Sequence, residues 1–185
     1  MGCAALLAMT ASTAGDTAAA ATPAATPAAT HGSAPAGGMP AVDRVNTTPK
    51  GQLKNPYQDD NAAAVEAGRK AYFAAGCNGC HGGNGGGGMC PALTNDIWVY
   101  GGDDDTLFRL VSLGSVELQS KGYVRKGNEN VVGPMPPMGV IVGNDDNLWH
   151  ILAYIRSNYH GTPACKFGCP PEAAEPTTEF KNPAF

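Results

Sequence analysis

Residues 77–91, CNGCHGGNGGGGMCP, hold three cysteines, one histidine and seven glycines. A stretch so poor in side chains cannot fill an interior of its own, so the chain must fold it around something else. Cys77-Asn-Gly-Cys80-His81 says what that is, because C-x-x-C-H is the attachment signature of a c-type haem. Two thiols bonded to the two vinyl positions fix the orientation of the porphyrin, and the adjacent imidazole is delivered to the iron from one face. Cys77 and Cys80 are therefore the expected covalent attachment points of one haem c, and His81 the expected proximal ligand. The glycines that follow suit a backbone folded tightly around a flat macrocycle, where side chains would collide.

Two other chemistries use similar residues. A dithiol redox motif also reads C-x-x-C, but it opens a helix after a strand, whereas this one closes a helical pattern with no βαβ unit around it. A zinc site could join Cys77 and Cys80 to Cys165 and Cys169, yet the second pair has C-x3-C spacing and the first has a histidine directly attached.

The sixth iron ligand separates an electron carrier from a haem enzyme or gas sensor, because a thioether raises the potential and closes the iron to small molecules. VVGPMPPMGVIVG offers Met135 and Met138. Met135 sits between prolines that pre-set its loop, and it follows His81 at a separation long enough to pass around the macrocycle. It is the expected axial ligand, with Met138 the second candidate and core packing the alternative for either. Met89 lies close after His81 and reads as packing or loop. His150 falls beside the apolar stripe of the last helix and reads as structural or surface; His160 and His31 receive no assignment.

Around this centre the chain divides into three. Residues 1–54 are rich in Ala, Thr, Pro and Gly and are expected to form a disordered tail. Its first part, CAALLAMTASTAG, suits the apolar region and cleavage site of a secretory signal, so export is expected. Cys3 hints at a lipid anchor, a reading that the lack of an apolar run ahead of it disfavours. Residues 55–165 form the expected ordered domain, and 166–185 an extended Pro- and Glu-rich tail. No later stretch of 18 uncharged apolar residues occurs, so no membrane span is expected. The ordered domain has seven basic and eleven acidic side chains, and its basic patch is confined to Lys121, Arg125 and Lys126. Nucleic acid is an unsuitable partner for such a surface.

Three helices are expected in the domain, with no alternating strands. The first is capped by Asn61, buries Val65, Tyr72 and Phe73, and stops at Gly76. Gly68 interrupts it at a cost of about 1 kcal/mol against Ala, for which a close helix crossing is the reason. The second begins at Asp103, Asp104 and Asp105, presents Leu107, Leu110 and Val111, and ends at Gly114. The third, capped by Asp145 or Asp146, carries the stripe Leu148, Ile151, Leu152 and Ile155, and is the expected partner of Gly68.

From about Gly68 to Tyr159 the sequence resembles the class I cytochromes c: an N-terminal helix, C-x-x-C-H, a loop Met followed by Pro, and a C-terminal aromatic helix. NGCHGGNGGGGMCPALTNDIWVYGGDDDTLFRLVSLGS together with VVGPMPPMG is similar, more narrowly, to the cytochrome cL group. That resemblance implies an all-α fold, with three main helices around one covalently bound haem and long irregular termini. It implies no enzyme but a periplasmic one-electron carrier, reduced by a methanol dehydrogenase containing pyrroloquinoline quinone (PQQ) and oxidised by a downstream cytochrome c or oxidase. Another quinoprotein alcohol dehydrogenase is the alternative donor. A haem enzyme or gas sensor with an open iron site is the alternative from a different class.

Docking is expected at the haem edge near Cys77 and Cys80, beside Gly86, Met89, Pro136 and Pro137. Asp103, Asp104 and Asp105 serve either as an acidic docking patch or as a capped helix start. Trp98 and Tyr100 are expected to pack near the haem. Calcium is reported near the haem in that group, but no dense loop of alternating oxygen ligands occurs here, so no calcium site is expected. In an oxidising compartment the remaining cysteines allow either Cys165 with Cys169 or Cys90 with one of them, and a Cys90 bridge to the C-terminal segment is the favoured expectation.

Overall fold

A computed structural model describes residues 1–2, 38–127, 129 and 131–169. Cys3, the signal-like segment, His31 and the tail beyond 169 lie outside the described residues. Among the described residues six helices follow in order: α1 Ala41–Thr47, α2 Ala62–Ala74, α3 Cys77–His81, α4 Asp104–Ser120, α5 Gly139–Val142 and α6 Asp145–Ser157, with a short 3-10 turn at Pro163–Cys165. Among the described residues the only β pairing is an isolated bridge between Pro40 and Asn144.

The frame is the crossing of α2 and α6. Asn61 caps α2 by accepting the Ala64 N–H at 3.1 Å. The cap of α6 is Asn144, whose side chain accepts from Asn147 N at 2.8 Å; Asp145 and Asp146, the expected caps, instead occupy the first turn. A residue just outside the turn has the extended backbone that a cap requires, and Asn144 has φ −119 and ψ 165. At the crossing, a methyl group on Gly68 would collide with the His150 carbonyl oxygen and lie 2.9 Å from Tyr154 Cβ. Gly68 is thus the point where the two backbones nearly touch, as its position in the sequence implied. Next to it the Tyr72 and Tyr154 rings pack at 5.3 Å between centroids. Leu148, Ile151, Leu152 and Ile155 are all buried. Each such apolar side chain contributes about 1.5–3 kcal/mol on burial. The α2 stripe differs from expectation: Tyr72 is buried, Val65 only partly so, and Phe73 is 41% exposed and turned outward.

The N-terminal boundary also differs. Residues from Met39 onward belong to the folded unit, and Ala41, Val45 and Leu53 join the same apolar cluster as Leu107, Phe108 and Trp149. Composition misplaced them in the tail because their anchoring is mostly polar. Arg109, 5% exposed, donates to the carbonyls of Val45 (3.2 Å), Thr48 (2.7 Å) and Pro49 (2.9 Å). Its Nε donates to Asp105 Oδ2 at 2.9 Å. Arg44 Nε adds a bond to Asp145 Oδ2 at 2.7 Å.

The three aspartates that open α4 are consumed internally rather than left as a patch. Asp103 caps the helix through Thr106 N at 2.9 Å, Asp104 pairs with Arg156 and accepts from Asn55 N, and Asp105 is 3% exposed. An acidic docking role is excluded for Asp105, which has no surface to offer.

Burial pushes the Asp105 carboxyl up, but hydrogen bonds from Arg109, Tyr123 and the Gly51 and Leu53 backbone outweigh it and hold it below the ordinary aspartate value. A depressed carboxylate stabilises the fold above the unfolded value of about 3.9, and that contribution is lost as pH falls through the folded value. Asp105→Asn strands a buried guanidinium. It is expected to cost about 3–5 kcal/mol at neutral pH in denaturant titrations, with a shallower further loss on acidification to about pH 3 than the parent shows. Gly68→Ala is expected to lose about 1–3 kcal/mol in the same measurement despite the better helix propensity of Ala, because the two helices must part.

Candidate haem site

Two residues past the end of α2, Gly76 with φ of 77° turns the chain and starts the short α3 that carries Cys77, Cys80 and His81. The His81 ring is oriented by one contact: Nδ1 lies 2.8 Å from the Pro91 carbonyl oxygen. A carbonyl can only accept, so Nδ1 carries the proton and Nε2 is left with its lone pair for a metal. A second ring nitrogen bonded to backbone is what holds a ligating imidazole in place. The chain beyond His81 is tied to the crossing helices, since Tyr72 Oη donates to the Gly82 carbonyl at 2.7 Å and Tyr154 Oη to that of Gly83 at 3.0 Å.

These residues open onto a cavity of about 640 Å³. That lies within the roughly 300–1,000 Å³ range of pockets that take cofactor-sized ligands. Cys77, Cys80, His81, Met89, Cys90, Trp98, Tyr100, Met135 and Met138 all line it, among apolar residues of α4 and α6. His150 is not among them: it stacks on Tyr57 at 4.0 Å between centroids and faces Asp146 at 3.6 Å, the structural role its position suggested. Trp98 and Tyr100 line the wall and are each 6% exposed. Trp98 Nε1 is buried without a protein partner, and Tyr100 Oη accepts from Gln119 Nε2 at 2.7 Å.

The methionine loop is held by a break in α4. Gly114 does not end the helix as expected but kinks it, with φ 76 and ψ 167. A side chain there would be strained by the positive φ and would stand 2.7 Å from the Met135 carbonyl oxygen and 2.8 Å from the Pro136 carbonyl carbon. Where helical bonding lapses, the loop takes over. Ser115 N donates to Met135 O at 2.9 Å, Met135 N donates to Ser115 Oγ at 3.0 Å, and Met138 N donates to Val111 O at 2.9 Å. Met135 is thereby pinned on both sides of its peptide. Met138 is packed against the core cluster as well as lining the cavity.

Cys165 is paired with Cys169, not with Cys90. The 3-10 turn brings these two together through Cys165 N to Thr162 O (2.8 Å) and Gly168 N to Cys165 O (3.0 Å). Cys90 stays a free thiol beside Cys80, its pKa raised by burial and by a hydrogen bond with the Cys80 thiol. Burial likewise raises that of Cys77.

The residues fit a covalently held haem: two thiols on one short helix, an imidazole with one free nitrogen, thioethers on a separate loop, and a large apolar cavity onto which all of them face. The family profile described as Cytochrome c matches residues 65–158. This chain belongs to the cytochrome c family. It is an all-α class I c-type cytochrome, an electron carrier with covalently attached haem c. No curated protein matches the chain. A solved structure of cytochrome cL from the marine methylotrophic bacterium Methylophaga aminisulfidivorans matches at TM-score 0.44 and 26% identity, covering 58% of this chain and 63% of that one. The match thus spans less than two thirds of that protein's length.

If Met135 ligates the iron, as expected from the sequence, Gly114→Ala is expected to leave haem content unchanged but to weaken or abolish the far-red charge-transfer band of the ferric protein that reports sulfur–iron bonding, as the Met135 loop is pushed off α4. An unaltered band in the variant would show that the loop does not depend on the kink.

Proposed function

We propose that this chain is a periplasmic one-electron carrier holding one haem c, attached at Cys77 and Cys80 and ligated by His81 and Met135. In this reading it takes electrons from a PQQ-dependent methanol dehydrogenase and passes them to a downstream cytochrome c or oxidase. The observation that carries it is the common cavity, onto which a fixed imidazole and a hydrogen-bonded methionine loop both face alongside the two thiols. When bound, haem supplies reversible one-electron chemistry at a potential set by its axial ligands and the dryness of its surroundings. The chain's own contribution is to position and to exclude. Pro91 fixes the imidazole and its tautomer, Ser115 fixes the methionine loop, and Trp98, Tyr100, Leu107 and Ile151 keep water from the interior.

The mouth of the cavity is apolar and open. Ile97 (44% exposed), Val116, Val131 and Val132 line it together with Met89, and Gly86, Pro136 and Pro137 are exposed nearby. The resemblance implied the Gly86, Met89, Pro136 and Pro137 part of this rim; the valines went unnoticed because isolated apolar residues carry no periodicity. Such a surface suits a small, transient interface at which electrons cross without the haem leaving. The methanol dehydrogenase partner rests on the similarity of the 78–115 and 131–139 segments to the cytochrome cL group.

In stopped-flow mixing, a reduced PQQ-dependent methanol dehydrogenase is expected to reduce the haem-loaded protein rapidly and in saturable fashion. Faster reduction by a different quinoprotein alcohol dehydrogenase would replace the donor but keep the carrier. Carbon monoxide is expected not to bind the reduced parent and to bind Met135→Ala stoichiometrically, with a lowered potential in that variant. Rapid binding to the parent would overturn the assignment of Met135 and with it the carrier reading.

A further inference from the structure

The third cysteine of the 77–91 segment has no part in the reading above, yet the fold places it with care. The glycine-rich loop after His81 doubles back on α3 through Gly87 N to His81 O (2.9 Å) and Cys90 N to Cys80 O (3.1 Å), with Gly88 N to Cys90 O (3.2 Å) closing the end. At two points of this path only bare backbone fits. A methyl group on Gly82 would lie 2.7 Å from Gly87 O, and one on Gly88 would lie 2.9 Å from Cys80 O. The loop therefore delivers Cys90 to Cys80, to whose carbonyl oxygen its N–H is bonded. The 3.1 Å bond from Cys90 N to Cys80 O, with standard backbone bond lengths, keeps the two Cα atoms within about 7 Å of each other, the limit of what a disulfide spans. Cys90 is also partly exposed, so an oxidant can reach it.

We infer that Cys90 is a second disulfide partner for Cys80 in the haem-free chain, so that a Cys80–Cys90 bond competes with a Cys77–Cys80 bond and withholds the second attachment thiol from haem. This rests on the reading that Cys80 is an attachment point. In forming the bond, two S–H bonds break and one S–S bond forms. The two electrons and two protons pass to a disulfide oxidant such as oxidised glutathione, which becomes two thiols. A dithiol reductant reverses the step by exchange and restores Cys80 for attachment. The Cys165–Cys169 disulfide does not enter the exchange while folded, since Cys165 is only 4% exposed.

The full-length chain, made without haem-attachment machinery, is equilibrated in a glutathione redox buffer, alkylated, digested without reduction and mapped by mass spectrometry. A peptide pair joining Cys80 to Cys90 is expected at a level comparable to or above that joining Cys77 to Cys80. Finding Cys80 bonded to Cys77 alone, with Cys90 alkylated, overturns the inference. In the Cys77→Ser background, where the Cys77–Cys80 bond cannot form, adding Cys90→Ser is expected to raise the alkylated fraction of Cys80 in the haem-free chain about two-fold under disulfide oxidant and to change nothing under reductant. Equal fractions under oxidant count against it. The haem-loaded parent separates the two claims. Of Cys77, Cys80 and Cys90, only Cys90 is expected to alkylate there, and alkylation of Cys80 in loaded protein sinks the attachment assignment itself.

Discussion

The close passage of α2 against α6 at Gly68 is the constraint from which the rest of the molecule follows. Because one backbone nearly touches the other there, Tyr72 and Tyr154 come side by side, and their hydroxyls reach the carbonyls of Gly82 and Gly83. Two helices far apart in the chain thus hold the first turn of the glycine loop, and the loop in turn presents His81 with Pro91 behind it. Buried hydroxyls need partners, and these carbonyls need donors; satisfying both with the same contacts fixes the position of the imidazole.

Another part of the cavity wall is organised by an interruption rather than by regular structure. α4 is bent at Gly114, and the hydrogen bonds that the helix forgoes there are made instead by the Met135 loop. A straight α4 would keep its own ladder and leave that loop without an anchor. The kink accordingly couples a single glycine to the placement of a thioether twenty-one positions later in the chain.

Much of this was legible beforehand, for physical reasons that differ from element to element. The cap at Asn61, the stripe of α6 and the reason for Gly68 are local or periodic signals, and the structure agrees with each; the C-x-x-C-H is as local a signal, and its three residues line one cavity. The sequence erred where tertiary contacts decide. Asn144 took the cap from its acidic neighbours because it is the residue left with extended backbone. Phe73 turned outward although its residue type suits a core. Residues 39–54 joined the fold through carbonyls gripped by Arg109, an anchor that composition does not register. Gly114 reads as a stop but acts as a bend, since a glycine's φ tells nothing of whether the helix resumes. The cysteine pairing went astray because proximity in space, not parity, chose Cys169 for Cys165.

That the main partner of α2 among the described residues is α6 has a consequence for how the molecule is assembled. A chain made from its N-terminus has α2, α3 and the glycine loop complete long before the last helix emerges, and until then the crossing has only one of its two halves. Long-range pairing of this kind delays closure. The thiols of α3 are accordingly present on an unfinished chain, open to modifying enzymes, before the final helix arrives to supply its part of the wall of the cavity onto which they face.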